Sequence, residues 1–224
     1  MLNLGIVAST GGSAFGEIAA IVKDEPIAFT VITDRPCGIE TIAETSSARV
    51  VRIENPDRNE FSVAVRDELF RSGITACLLF FNRLVGPDLF DRIDTFNIHP
   101  SLLPAYPGFQ AVNRARQGGV KLLGATLHKV DETVDGGRIE AQVARRVDPA
   151  WPIERWNKIS FLQKVYLGLV WTEMMSRSGS SGHRPLDHRD SPDTWLNASH
   201  GILSARRLDL FRSVERRENI QILP

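Results

Sequence analysis

Short apolar runs alternate with amphipathic stretches along the first hundred residues. The runs Leu4–Ala8, Ile27–Ile32 and Ala76–Phe81 have the length of strands. The third is unbroken, as expected for a central strand of a parallel sheet covered on both faces. Phe15–Val22 and Asn59–Ser72 place apolar side chains at helical spacing. Strands that alternate with helices predict an α/β domain with a mostly parallel twisted sheet flanked by helices.

Beyond residue 120 the spacing of apolar and polar residues changes. Lys121–Val130 and Arg138–Val147 alternate apolar and polar positions and predict two strands. The intervening Asp-Gly-Gly at 135–137 predicts a turn that joins them as a hairpin-like pair. Ile153–Met175 carries the longest helical pattern, and we interpret its apolar face as core packing.

Two shorter helices and the C-terminal part complete the pattern. We expect helices at Thr41–Ser47 and Asp88–Ile93. After Ser176 the composition turns to serine, glycine and charged residues, which indicates a linker. We therefore expect one α/β domain at 1–175, and a polar linker and tail at 176–224. An amphipathic helix within this tail, Ala205–Arg217, would pack on the domain or at an oligomer interface.

Composition excludes several classes of protein. The chain has 224 residues, of which 42% are hydrophobic and 24% charged, which is ordinary for a globular enzyme. Its 27 basic and 27 acidic residues give a formal net charge of zero, whereas a nucleic-acid-binding protein usually has a basic surplus. No apolar run reaches the ~18 residues that span a bilayer. We expect a cytoplasmic monomer or homodimer with neither a nucleic acid nor a membrane as partner.

The cysteines and histidines suggest no metal site. Cys37 and Cys77 stand in unrelated contexts without a metal-ligand spacing, and we expect both to be reduced. His183 and His188 lie in the polar stretch, where no cysteine or carboxylate cluster accompanies them at ligand spacing. We therefore expect a protein without a metal cofactor.

A glycine loop follows the first strand. Gly11, Gly12 and Ser13 stand between this strand and the first helix, an arrangement that directs backbone N–H groups and a helix N-terminus toward an anion. The loop is neither GxGxxG nor GK[ST], so it does not indicate a dinucleotide or a nucleoside triphosphate. A tight turn without a ligand would also fit the loop taken alone.

A second polar cluster stands where another strand ends. Asn97 and His99 are two residues apart, so on an extended segment both side chains point to one face. Pro100, Pro104 and Pro107 then exclude a helix. An amide donor and an imidazole on one face suit the stabilisation of negative charge on a carbonyl oxygen.

The motifs Asn97-Ile98-His99-Pro100-Ser101-Leu102-Leu103-Pro104, Gly124-x-Thr126-x-His128 and Asp135-Gly136-Gly137 together resemble the folate-dependent formyltransferase family. The similarity covers about residues 2 to 175 in order. It implies a Rossmann-like formyltransferase fold, with 10-formyltetrahydrofolate as the formyl donor.

The resemblance also implies roles for individual residues. Asn97, His99 and Asp135 would form the catalytic trio: Asn97 and protonated His99 would donate to the formyl oxygen, and Asp135 would keep His99 charged and relay the amine proton. The remaining implied contacts fall into two groups. The folate would contact Arg83, Leu84, Val85, Val130, Asp131 and Glu132. The amine acceptor would contact Gly11, Gly12, Ser13, Pro100 and Ser101.

Departures from the family pattern leave the acceptor open. The chain has Ala14 where the family members that formylate glycinamide ribonucleotide typically have an asparagine. It has Gln163 and Lys164 near the position where those members have an acidic residue. Glycinamide ribonucleotide and a nucleotide-linked amino sugar both remain candidate acceptors. Methionyl-tRNA formylation is disfavoured by the short tail and low net charge. Two other functions also remain open. They are hydrolysis of formyltetrahydrofolate by the same trio, and folate binding without catalytic activity.

Overall fold

The computed structural model describes residues 1–178 and 203–223. Residues 179–202, which include most of the predicted linker with His183 and His188, lie outside the described residues. The strands are β1 (Leu2–Ala8), β2 (Ile27–Thr33), β3 (Arg49–Arg52), β4 (Ala76–Phe80), β5 (Asp94–His99), β6 (Leu122–Lys129) and β7 (Ile139–Arg146). The helices are α1 (Ser13–Val22), α2 (Gly38–Thr45), α3 (Arg58–Arg71), α4 (Pro87–Phe90), α5 (Ala111–Gln117), α6 (Ile153–Ser178) and α7 (Ala205–Glu218).

The seven strands form one sheet in the order β3-β2-β1-β4-β5-β6-β7. Strand β1 pairs in parallel with β2 and with β4, and the pairs β2–β3 and β4–β5 are also parallel. Strands β6 and β7 pair antiparallel, as the alternating pattern predicts. The prediction of a mostly parallel α/β sheet is confirmed.

The chain divides into two compact units. The first comprises Met1–Asn97 and Lys129–Gly137, and the second comprises Ile98–His128 and Arg138–Pro224.

A hydrophobic cluster forms the core of the first unit between the sheet and helix α3. Phe61, Val65 and Leu69 of α3 are fully buried in it, together with Val7 of β1 and Cys77 of β4. Helix α3 begins at a good capping residue, since the Asp57 carboxylate accepts hydrogen bonds from the first-turn N–H groups of Asn59 and Glu60. Local sequence and buried packing therefore specify the same helix.

Two helix bounds differ from the prediction. Helix α2 begins at Gly38 rather than Thr41, because buried Ile39 packs beneath the glycine loop and its N–H donates to Thr10 O. Helix α4 covers only Pro87–Phe90 rather than Asp88–Ile93, and it begins at a proline, whose fixed φ suits a first helical position. Both predictions were wrong at the ends of the elements and right about the elements themselves.

In the second unit, helix α7 packs on helix α6. The rings of Tyr166 and Phe211 lie 5.4 Å apart, and the Arg207 side chain is only 2% exposed. Its Nη1 lies 3.0 Å from Glu173 Oε2 and donates to Thr172 Oγ1 at 3.1 Å. A buried guanidinium requires such partners, because desolvation without them costs several kcal/mol.

Within the described residues, no helix combines the length and apolar character that crossing a membrane requires.

Replacing Arg207 with alanine is expected to lower the free energy of unfolding by about 3–5 kcal/mol, because it leaves Glu173 without its buried partner. Arg177→Ala is the matched control, since Arg177 is 59% exposed and pairs with the same carboxylate at 3.3 Å. The control should cost less than about 1 kcal/mol. Urea unfolding of both variants measures the difference, and equal losses would contradict the assignment of α7 as a packed helix.

Candidate active site

The carboxyl ends of the parallel strands lie along one edge of the sheet in the first unit. The strand order reverses between β1 and β4, and ligands of open α/β sheets bind at such a reversal. Ser9 follows β1 and Asn82 follows β4, and the Ser9 hydroxyl donates to Asn82 Oδ1 at 2.7 Å. Polar side chains therefore meet directly at the reversal.

The glycine loop stands beside this point, with Gly11 and Ser13 exposed and Gly12 buried. Gly12 has φ +78°, and a Cβ there would come within 2.7 Å of the Ile39 backbone, so a larger residue does not fit. Helix α1 begins after Gly12 with neither a capping side chain nor an acidic residue in its first turn. Its first N–H groups and the positive end of its dipole are therefore suited to an anion.

Arg35 is a residue that the sequence analysis missed. It follows β2 at the same edge, is exposed, and donates to Asn82 Oδ1 at 3.0 Å and to Asp34 Oδ1 at 3.2 Å. The signal was present in the sequence, because a charged residue directly after a parallel strand lies at the edge where ligands bind.

Arg83, predicted to contact folate, binds protein groups with its side chain. Its guanidinium donates to Asp34 Oδ2, Asn55 O and Pro56 O at 2.8–3.2 Å and lies 5.2 Å above the Phe61 ring. The side chain thus joins the segments that follow β2, β3 and β4. The contact of Arg83 with folate stays a prediction.

The other residues predicted to contact folate lie on the two segments that follow β4 and β6 in the first unit. Both segments pack on the hydrophobic cluster of this unit. Val85 is buried in the hydrophobic cluster of this unit, and Val130 packs against the same cluster. Leu84 is 51% exposed. Asp131 and Glu132 are exposed.

The segment that carries Asp135 is held at both ends. The Val130 N–H donates to Thr95 O at 2.8 Å, and Asp131 Oδ1 accepts from the Thr133 N–H at 2.8 Å. Asp135 has φ +53°, an uncommon conformation that is enriched at functional positions. A Cβ on Gly137 would lie 1.9 Å from Lys129 O, so the second glycine of the turn is required by close backbone approach.

Strand β5 carries Asn97 and His99 two residues apart, so they share one face as predicted. Asn97 is partly exposed, and His99 is 5% exposed. His99 Nε2 lies 2.8 Å from Tyr106 O. Because a carbonyl oxygen only accepts, Nε2 must carry a hydrogen.

Ser101 and Pro100, predicted to contact the acceptor, follow His99 in the second unit. Ser101 is 2% exposed, and its hydroxyl donates to Ala105 O at 2.5 Å. Pro100 is partly exposed. Their contacts with an acceptor stay predictions.

The predicted residues are distributed over both units. The first contains the glycine loop, the two folate segments, Asn97 and Asp135, and the second contains His99, Pro100 and Ser101. The convergence of the catalytic trio stays a prediction.

The two residues that depart from the family pattern lie on helix α6. Gln163 is fully buried, and its Nε2 donates to Leu123 O at 2.9 Å, while its Oε1 accepts no hydrogen bond from the residues that the structure describes. Burial lowers the pKa of Lys164 below its ordinary value, because the apolar surroundings disfavour the charged ammonium.

Neither the cysteines nor the titratable side chains form a metal centre in the part of the chain that the structure describes. Cys37 and Cys77 are free thiols, and burial raises the pKa of Cys77 to about 12. Among residues 1–178 and 203–223, no three histidine, cysteine or acidic side chains are placed to hold a metal ion.

Comparisons with a family model and with known proteins indicate the same family. The formyl transferase family model matches residues 3–159. The chain is 34% identical to phosphoribosylglycinamide formyltransferase of Bacillus subtilis over 158 residues, which are 66% of this chain and 81% of that protein. It is also 34% identical to the Mycobacterium tuberculosis protein of the same name over 155 residues, 62% of this chain and 69% of that one.

Solved structures agree with the sequence matches. Phosphoribosylglycinamide formyltransferase from Bacillus halodurans superposes with a TM-score of 0.69 at 30% identity, covering 74% of this chain and 90% of that one. The chain belongs to the formyl transferase family, and its fold is the α/β formyltransferase fold.

Replacing Gly137 with alanine is expected to destabilise the protein by about 1–3 kcal/mol, because the new methyl group meets a backbone carbonyl that only a shift of the segment can relieve. Gly11→Ala is the control, since a Cβ there would have no described atom within 4 Å apart from its own chain neighbours. Chemical denaturation compares the two variants. Equal stability would mean that the turn tolerates a side chain and that the close approach imposes no constraint.

Proposed function

We propose that this chain transfers a formyl group from 10-formyltetrahydrofolate to the primary amine of a phosphorylated small metabolite, with glycinamide ribonucleotide as the acceptor. The observation that carries this proposal is the uncapped N-terminus of α1, which follows the glycine loop at the reversal of strand order. The name of the relatives in Bacillus subtilis and Mycobacterium tuberculosis supports the same acceptor.

The charges around the glycine loop support a phosphate on the acceptor. The first turn of α1 has no acidic residue, so nothing there competes for its N–H groups. Arg35 is 49% exposed, and its hydrogen bond to Asn82 Oδ1 holds the guanidinium at the carboxyl edge of the sheet. Helix N–H groups together with an arginine are a common combination for binding phosphate.

The two segments that follow β4 and β6 support a folate donor. Leu84 and Val134, one on each segment, are both about half exposed and offer apolar surface to a flat ring. Buried Val85 and the packed Val130 give each segment a firm base. Pockets for ligands of this size are mainly apolar with a few polar groups that fix orientation.

The reaction forms one carbon–nitrogen bond and breaks another. The acceptor amine attacks the formyl carbon and gives a tetrahedral intermediate with negative charge on oxygen. Collapse then breaks the bond between this carbon and N10 of the folate. One proton leaves the amine and one arrives at N10, so the products are a formamide and tetrahydrofolate.

The trio would divide this work by residue type. The Asn97 amide and the His99 imidazolium would donate hydrogen bonds to the developing oxyanion, the largest single contribution in many acyl transfers. The Asp135 carboxylate would stabilise the imidazolium and accept the amine proton, directly or through water.

An acceptor panel with 10-formyltetrahydrofolate tests the proposal by following tetrahydrofolate release. We expect turnover with glycinamide ribonucleotide and a much higher KM for the same compound without its phosphate. Turnover confined to a nucleotide-linked amino sugar would contradict the acceptor, and release without any amine would indicate a hydrolase. Equal KM values with and without phosphate would contradict the role of the glycine loop.

Single substitutions in the trio test the chemistry. Asn97→Ala, His99→Gln and Asp135→Asn should each lower kcat by about 10²-fold or more, the usual scale for an oxyanion donor or a general base. Asp91→Asn is the control for loss of one carboxylate, since Asp91 is exposed at the end of α4. Steady-state kinetics on folded variants gives the result. A variant of the trio that keeps full kcat would remove that residue from the mechanism.

A further inference from the structure

We infer that Ser101 and Thr126 are positioning residues that hold the His99 imidazole with one hydrogen on Nε2, so that Nδ1 is the nitrogen through which the protonated ring donates to the formyl oxygen. The kinetic part of this inference rests on the proposed function. The tautomer itself does not, because it follows from hydrogen bonds inside the second unit.

The hydrogen bond of His99 Nε2 to the backbone sets the tautomer. Tyr106 O lies 2.8 Å from Nε2 and, as a carbonyl oxygen, can only accept. His99 is 5% exposed, so water does not readily replace this bond. In a neutral ring the hydrogen therefore stays on Nε2, and Nδ1 carries the lone pair.

The Tyr106 carbonyl is held in place by an unusual turn. Tyr106 has φ +55°, a conformation that is unfavourable for a non-glycine residue and needs support from its surroundings. The Ser101 hydroxyl gives this support: it donates to Ala105 O at 2.5 Å, and Tyr106 O lies 3.4 Å away. The hydroxyl thus fixes the peptide groups that lead to the His99 acceptor.

Thr126 on strand β6 fixes the start of the same turn. Its Oγ1 donates to Ser101 O at 2.7 Å and accepts from the Leu103 N–H at 3.0 Å. Gln142 on β7 donates a third bond to Oγ1 at 2.8 Å and also bonds Leu103 O at 3.0 Å. Thr126 is fully buried, so its hydroxyl has no solvent alternative.

A continuous chain of hydrogen bonds therefore runs from two strands of the second unit to the imidazole. Gln142 orients the Thr126 hydroxyl, Thr126 orients Ser101, and Ser101 holds the turn whose carbonyl meets His99 Nε2. An imidazole that acts in catalysis must present one nitrogen reliably, and a wrong tautomer removes that ability even when the ring stays in place.

The tautomer is measured directly by long-range ¹H–¹⁵N correlation spectra of the ¹⁵N-histidine-labelled chain, collected across a pH titration. The chain has five histidines, and the His99→Gln variant identifies the His99 signals by their loss. We expect the neutral ring to show a protonated Nε2 and an unprotonated Nδ1. The opposite pattern in the wild-type chain would overturn the inference, and this result needs no activity.

Substitutions then test the positioning residues. Ser101→Ala and Thr126→Val should give a mixture of tautomers at His99 and lower kcat about tenfold, the effect of one hydrogen bond. Thr126 is in neither set of predicted substrate contacts, so Thr126→Val should leave both KM values within about twofold. Thr126→Ser keeps the hydroxyl and should restore the single tautomer and the kcat. Thr172→Val, at a buried threonine on α6 outside this chain of bonds, should leave the His99 spectrum unchanged.

Two results separate this inference from the proposed function. If the wild-type chain transfers no formyl group but shows the Nε2–H tautomer, the proposed function fails and the tautomer assignment stands. If Thr126→Val folds and loses kcat while the His99 spectrum stays that of the wild type, the positioning role is wrong.

Discussion

Parallel pairing of β1 with both β2 and β4 is the constraint on which the rest of the structure depends. It places the ends of three strands along one edge and creates the reversal of strand order between β1 and β4. The glycine loop, Asn82 and Arg35 all follow these strands. Their proximity is therefore a consequence of sheet topology, and local sequence has only to supply residues of the right type.

Close neighbours explain why two positions of the motifs are glycine. Gly12 is confined by Ile39 and Gly137 by Lys129 O, so both positions exclude any side chain. In the second unit the motif residue Thr126 is constrained by its hydrogen bonds. Its hydroxyl makes three of them while fully buried. A valine of the same shape would leave its partners unsatisfied, which is costly in a dry interior.

Much of the fold followed from the sequence because local and global signals agreed. The apolar run at Ala76–Phe81 predicted central strand β4, and the change to a period of two predicted the antiparallel pair β6–β7. The position of Asn97 and His99 on one face followed from strand geometry alone. The bounds of α2 and α4 did not follow, because packing of Ile39 and a proline at the first position decided them.

Side-chain orientation was the part that sequence could not supply. The resemblance implies that Arg83 contacts folate, and the structure adds that its guanidinium donates to Asp34 and to two carbonyl groups. The resemblance implies that Ser101 contacts the acceptor, and the structure adds that its hydroxyl donates to Ala105 O. Both orientations depend on segments distant in sequence, so no local pattern indicates them.

The proposed reaction moves the formyl carbon to an amine nitrogen, and NMR of the product formed from a ¹³C-formyl donor and ¹⁵N-amine glycinamide ribonucleotide tests this transfer. We expect a one-bond ¹³C–¹⁵N coupling in a new formamide. Label recovered only as formate, with the amine unchanged, would contradict it.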